Sequence, residues 1–425
     1  MRMPLLITAG NDRPTTSKKR RRWSIAPAPQ PSSAYFEGYE VFEEFPNALG
    51  LVLFRWIRDV RLLATSDHTA RHELFRESTS PDLLPRWASS DVDPQLRGAA
   101  NVFARLVVSP GSADPDDVVR ACMDVSAWAD RENFPATAAT FMEVAACVRP
   151  LDADLAYRAG LLNRRNAAYG RSTLWYQHGI GVGRRTGNWP SYVDNYLGWG
   201  NLEIIRGREV QARILLLKGY NAALKYNLRD LGARAQHELF MLAVQQDDYA
   251  IAYEHAMVAL QLYPRDNPFF PYLVHDLAQT WVCQHYDSVA LPLLIATRSV
   301  IVGHDVEIAA NIAGAAGLDG DRDQFEAAWD EVALKTTRAI PRAASALISV
   351  AEGAFALRLT KQAIEIAERA MKFAHERGEL NDEARARGLL DRIRAGDRLE
   401  PTKPPDKVYQ LARLLMKELP LRTGP

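Results

Sequence analysis

Small residues return at a nearly fixed interval along segments whose apolar positions follow a helical period, and this recurrence limits the chain's fold more than any other feature. From about residue 113 onward, apolar residues recur every three or four positions, with short polar or Gly/Pro breaks and almost no strand signals. That spacing puts the apolar side chains on one face of a helix. A clear start stands at Asp114, followed by Pro115 at the first helical position and Asp116 and Asp117 in the first turn. The helix containing Tyr196 carries Gly200 in its middle and ends at Gly207, and the next helix carries Ala212 and Gly219. Tyr196, Trp199 and Leu216 are the bulky residues that would fill the space around these small positions. Equivalent places to Ala212 fall at Ala138, Ser172, Ala252, Val289, Ala328 and Ala363, in steps of 34, 40, 40, 37, 39 and 35 residues. Helical segments repeating at this interval indicate stacked helix–turn–helix units.

The pattern resembles the tetratricopeptide repeat family. Besides the residues above, Gly160 and Gly179, Ala256, Ala259 and Pro264, Leu277 and Tyr286, Ala316 and Phe325, and Ala351, Ala367 and Ala370 match its frame. Upstream, Ser126, Ala145 and Pro150 fit as well. Phe240 departs from it at a position that wants a small residue, as does Arg358 where a turn glycine is usual. The resemblance covers residues 113–376 and implies an all-α fold, a right-handed superhelix of antiparallel helix pairs. It also implies that the first helix of each pair lines a concave groove where ligands lie.

Around this array of about seven units the chain divides into three further parts. Residues 1–45 hold the basic run Lys18, Lys19, Arg20, Arg21 and Arg22 and several prolines, with little to bury, and read as a disordered tail. Residues 46–112 read as an N-terminal helical cap with helices over 47–65 and 93–107. Residues 377–425 read as a charged helix over Asp382–Arg394, a linker with Pro401, Pro404 and Pro405, and an amphipathic helix over Asp406–Leu419. That last helix, with Val408, Leu411, Leu415 and Leu419 on one face, is expected to fold back onto the end of the array.

Lys+Arg and Asp+Glu both number 52, and this balance argues against a protein that coats nucleic acid, which needs a cationic surplus. Only the basic tail leaves a weak route to nucleic acid. No apolar run reaches the ~18 residues of a membrane span, and the basic run follows the apolar patch at Pro4–Ala9, the reverse of a secretory signal. Three widely spaced cysteines, Cys122, Cys147 and Cys283, suit a reducing compartment and a cytoplasmic protein, and read as small buried hydrophobes. Oligomeric state is not indicated.

Motifs for chemistry fail individually. His72 and His237 each begin a His-Glu-Leu-Phe string, but Arg76 and Met241 stand where a zinc site needs its second histidine. The glycines of Gly179–Gly183 fall within the second helix of a repeat, whereas a phosphate loop follows a strand. No catalytic residue, cofactor or metal is therefore assigned, and the chain reads as a non-enzymatic scaffold or adaptor for a peptide or protein.

The resemblance places Arg158, Arg164, Arg165, Asp194, Asn201, Arg234, His237, Glu238, His275 and Asp276 on the groove. Asn201 matches an asparagine of the family's carboxylate clamp, but Leu197 and Glu238 replace two of its other members. The arginines suit an acidic peptide segment. His237 and His275, if they converge, would respond to pH near their ordinary value of about 6.5. The rival readings are a signal-peptide-responsive transcription regulator, although residues 46–110 lack a clear helix-turn-helix, and an enzyme on a helical scaffold.

Overall fold

The computed structural model describes residues 38–66, 93–108, 113–264, 266–301 and 305–419, and among these it contains helices and no strand. An N-terminal group comprises α1 (Glu40–Glu44), α2 (Ala48–Thr65) and α3 (Arg97–Val108). Seven helix pairs follow: α4 (Pro115–Arg131) with α5 (Pro135–Val148), α6 (Ala153–Arg165) with α7 (Tyr169–Thr186), α8 (Trp189–Ile205) with α9 (Glu209–Lys225), and α10 (Arg229–Gln245) with α11 (Tyr249–Leu262). The remaining pairs are α12 (Phe270–Cys283) with α13 (Asp287–Arg298), α14 (Asp305–Asp319) with α15 (Arg322–Lys335), and α16 (Ala343–Ala356) with α17 (Thr360–Arg377). Helices α18 (Leu380–Ala395) and α19 (Asp406–Glu418) complete the chain. This is an all-α, tetratricopeptide-like solenoid.

One backbone device makes every pair. The first helix ends on a residue in the left-handed region: Asn133, Ala167, Gly207, Asp247, His285, Gly320 or Arg358. The N–H of the following residue then donates back to the carbonyl of Ala129, Asn163, Glu203, Ala243, Trp281, Ala316 or Ala354, at 2.7–3.0 Å. This bond satisfies an otherwise orphaned carbonyl and reverses the chain within a few residues. The carbonyls repeat in steps of 34, 40, 40, 38, 35 and 38 residues. The equivalents of Ala212 are thereby Ala138, Ser172, Ala252, Ala290, Phe325 and Ala363. Val289 and Ala328 are out of register by one and three residues, because small side chains recur on more than one face of these alanine-rich helices.

First helices of successive pairs touch one another (α6 with α8, α8 with α10, α10 with α12, α12 with α14, α14 with α16). Among the described residues no two successive second helices approach as closely. The first helices therefore lie on the shorter, inner circumference. Small residues permit the closeness: Tyr176 of α7 wedges between Gly160 and Gly198, where an added Cβ would come within 2.6 and 2.5 Å of its ring. Gly200 accepts Leu216, and Gly219 accepts Leu197. The tightest crossing joins α14 to α16, where a Cβ on Gly353 would sit 2.5 Å from the carbonyl oxygen of Ala313.

The array coils until its late units meet its early ones. Arg377 Nη2 donates to the carbonyl of Arg165 at 2.7 Å, Arg338 Nη2 donates to that of Asn133 at 3.0 Å, and α18 touches α8. At the N-terminus the tail boundary expected at residue 45 moves, since residues 38–45 are folded. Val41 is buried, and the Glu44 carboxylate accepts the N–H groups of Ala136 and Thr137, both at 2.8 Å, capping α5. Glu40 reaches Arg171, which also pairs with the buried Glu143. Residues 1–37, with the basic run, lie outside the described residues. The terminal helix does fold back, but onto α13 in the fifth pair, not onto the last unit. The Thr402 N–H anchors its linker on the carbonyl of His285 at 2.7 Å, and Val408, Ala412, Leu415 and Leu419 are buried.

Two substitutions should shift stability in opposite directions. Gly353→Ala is expected to destabilise by about 1–3 kcal/mol through overpacking, despite the better helix propensity of alanine. Arg358→Gly is expected to stabilise by about 1 kcal/mol by relieving a left-handed conformation at φ 62°. Urea unfolding of both variants checks the pair of signs.

Candidate functional site: the inner face of the first helices

Counting back from the carbonyl that receives each turn bond gives rows of equivalent inner positions. Nine residues before it stand Asp154, Asp194, Arg234, Tyr272, Glu307 and Ser345. Five before it stand Arg158, Gly198, Glu238, Asp276, Asn311 and Ser349, and two before it Leu161, Asn201, Met241, Gln279, Gly314 and Glu352. Positions four, then three, apart share one helix face, so the rows describe a single surface running across neighbouring first helices.

Side-chain bonds cross from helix to helix along it. Arg234 Nη1 donates to Asp194 at 2.7 Å and Arg234 Nη2 to the Tyr157 hydroxyl at 2.7 Å. The same guanidinium lies 5.4 Å from the Phe269 ring centroid. Farther along, Asp276 accepts His237 Nε2–H at 2.8 Å and His275 Nδ1–H at 3.0 Å. The other nitrogen of His275 takes the Asn311 amide at 3.1 Å, and Ser349 Oγ donates to Asn311 Oδ1 at 3.0 Å. Tyr263 stands 3.4 Å from His237 Nδ1. With roles assigned from these partners, each imidazole donates to Asp276 through one ring nitrogen and meets a further polar group, Tyr263 or Asn311, through the other. Burial pushes the Asp276 carboxyl up, but hydrogen bonds from and charge on His237 and His275 outweigh it and hold the group well below the usual carboxylate range.

The structure brings part of the sequence-derived groove set together. Arg234, His237, Glu238, His275 and Asp276 form one contiguous polar stretch, and the two histidines do converge, on a shared carboxylate. Asn201 and Arg158 lie on the inner rows of α8 and α6, whereas Arg164 and Arg165 stand at the end of α6. Arginines expected to await an acidic ligand are already engaged: Arg158 with Asp154 at 2.7 Å, Arg165 with Asp130 at 2.6 Å, and Arg234 with Asp194. Arg342, which the sequence did not single out, pairs with Glu307 at 2.5 Å. Its guanidinium, on an exposed side chain, is held more firmly charged by Glu307 first and then by Asp276 and Glu238. Of these carboxylates only Glu307 is bonded to the guanidinium, and Asp276 and Glu238 act on it through space. No motif marks Arg342, because it lies in the loop before α16.

After these pairings the rows keep an acidic surplus. Among the described residues, Glu238 and Glu352 have no cation within ion-pairing distance and Asp276 has only the two imidazoles. Burial raises Glu352, opposed by Arg385 and Arg392.

The glycines of Gly179–Gly183 lie inside α7 and pack on α8, Gly179 against Asn195 and Gly183 against Tyr192. His237 belongs to the inner-face network, and His72 lies outside the described residues. Among the described residues no group of three or more His, Cys, Asp or Glu is placed to hold a metal, and no helix is long and apolar enough to cross a membrane. Of the three free cysteines, Cys122 is buried and Cys147 half-buried, but Cys283 is exposed at the C-terminal end of α12, so the expectation of three buried thiols fails there.

No protein-family model matches the chain, and no curated protein matches it. Among solved structures, the chain is similar to the Rap conjugation gene regulator of the plasmid pLS20 in complex with the Phr* peptide. Identity is 12% over 80% of this chain and 96% of that one, with a TM-score of 0.49. It is also similar to the TPR domain of P58(IPK), at 12% identity over 73% of this chain and 97% of that one, with a TM-score of 0.21. The architecture rests on the helix pairs themselves.

Asp276→Ala removes the acceptor of two imidazole N–H groups and is expected to cost about 2–3 kcal/mol at neutral pH. Because the folded-state carboxyl is depressed, the stabilisation is present above about pH 4 and lost as pH falls below it. The gap in unfolding free energy between wild type and Asp276→Ala should therefore narrow from pH 4 downward, as measured by urea titrations at several pH values.

Proposed function

We propose that this chain is a non-enzymatic peptide- or protein-binding solenoid of the cytoplasm, and that its inner face takes an extended cationic segment. The observation behind this reading is the surplus of Glu238, Asp276 and Glu352 on the first helices while Arg158, Arg234 and Arg342 are paired within the chain. Desolvated carboxylates at the bottom of a groove favour guanidinium or ammonium groups that replace lost water contacts. Its three free cysteines fit a reducing compartment.

Spacing refines the ligand. Packed helices lie about 8–10 Å apart, and three residues of an extended polyproline-like peptide span about 9 Å. Cations at every third residue would meet successive first helices in register. Fluorescence anisotropy with labelled peptides of identical composition, lysines either at every third position or adjacent, tests this. The spaced peptide should bind more tightly, a glutamate version should not bind, and Glu238→Gln should weaken binding by about tenfold. Equal binding of lysine and glutamate peptides would refute the proposal.

A further inference from the structure

Helix α9 is apolar on both sides. Its inner stripe, Ala212, Leu215, Leu216, Gly219 and Ala223, is buried against the neighbouring helices. On the outer side Val210, Ile214, Leu217 and Leu224 are 78, 43, 40 and 56% exposed. A surface helix of a solenoid ordinarily turns a charged face outward. The outer face of α17 does so, with Lys361, Glu365, Glu368 and Lys372 exposed. The buried apolar cluster around α9 is also the smallest of three, with nine residues between Val193 and Leu242.

The exposed positions have a pattern of their own. Val210, Ile214, Leu217, Asn221 and Leu224 follow one another at intervals of four, three, four and three, the a/d spacing of a coiled-coil seam. Asn221 occupies an a position, where a single asparagine sets register and pairing in two-stranded coils. Flanking places carry Lys218 and Lys225 on one side and Arg213 on the other, the last bonded to Gln246 at 2.5 Å. A second copy of α9 would set cations against cations in either orientation, which is destabilising.

We infer that the outer face of α9 is one strand of a short two-stranded coiled coil, whose other strand is an acidic amphipathic helix of a partner protein. That helix carries apolar a/d residues, one polar residue opposite Asn221, and Glu or Asp beside Lys218 and Lys225. The surface is separate from the inner face proposed above for an extended ligand, so either can fail without the other.

The test uses the full chain and a synthetic, end-blocked, fluorescein-labelled peptide of three heptads with Leu at d, Ile at a except for one central Asn, and Glu at e and g. Saturable binding is expected in anisotropy. Leu217→Asp should weaken it by at least about tenfold, and Glu238→Gln on the inner face should leave it unchanged. The double variant Lys218→Glu, Lys225→Glu should lose the acidic peptide and gain a version with Lys at e and g. Absence of binding, or equal binding by wild type and Leu217→Asp, overturns the inference. So does a sedimenting wild-type dimer that Leu217→Asp dissociates, since the occupant would then be a second copy.

Discussion

The architecture depends on a turn of a few residues that closes each of the seven helix pairs and recurs after α9, α17 and α18. A single residue in the left-handed region ends each first helix, and the bond donated back over it clamps the start of the second. Because the turn is a backbone device, it tolerates Asn133, Ala167, Asp247, His285 and Arg358 as well as glycine, at a cost of about 1–2 kcal/mol for each unfavourable side chain. Its repetition sets the antiparallel pairing, and the pairing sets which faces the helices turn toward one another. With first helices touching and second helices splayed, curvature follows, and with curvature an inner surface on which equivalent positions of successive units become neighbours.

That inner surface shows how a solenoid assembles a polar network without any local motif. His237, Asp276, Asn311 and Ser349 come from four first helices, yet each bond spans only one helix-to-helix step. Such a network is costly unless every member is partnered, and Asp276 is the member on which the two imidazoles depend. Toward the N-terminus the same rows are neutralised by internal ion pairs, whereas beyond Glu238 carboxylates are left over. The change of character along the groove therefore arises from pairing geometry. Net composition hides it, since the chain as a whole carries no net charge.

Much of the architecture was legible in the chain. The helical period, the start at Asp114 and the close-approach positions Gly160, Gly200 and Gly219 all correspond to structural roles, the last three against Tyr176, Leu216 and Leu197. Misregistered positions, Val289 for Ala290 and Ala328 for Phe325, reflect alanine-rich helices whose small residues do not single out one face. The short helix at Glu40–Glu44 was hidden for another reason: five residues carry no detectable period, and what holds them is Glu44 on α5 and Glu40 on Arg171, contacts about ninety and one hundred and thirty residues away.

The sequence by itself determined that this protein is a stack of helix pairs, because period, small-residue spacing and breaks are local properties of the chain. Register along a helix is countable, so the sequence also named candidates for the inner face, of which Arg164 and Arg165 stand instead at the end of α6. Only the tertiary structure decided which of them are available. Arg158, Arg165 and Arg234 are spent on carboxylates of neighbouring helices, His237 and His275 share Asp276, and Arg342 enters from a loop. Charge can be read from composition, but its compensation depends on distances between residues tens of positions apart, and these exist only once the helices have packed.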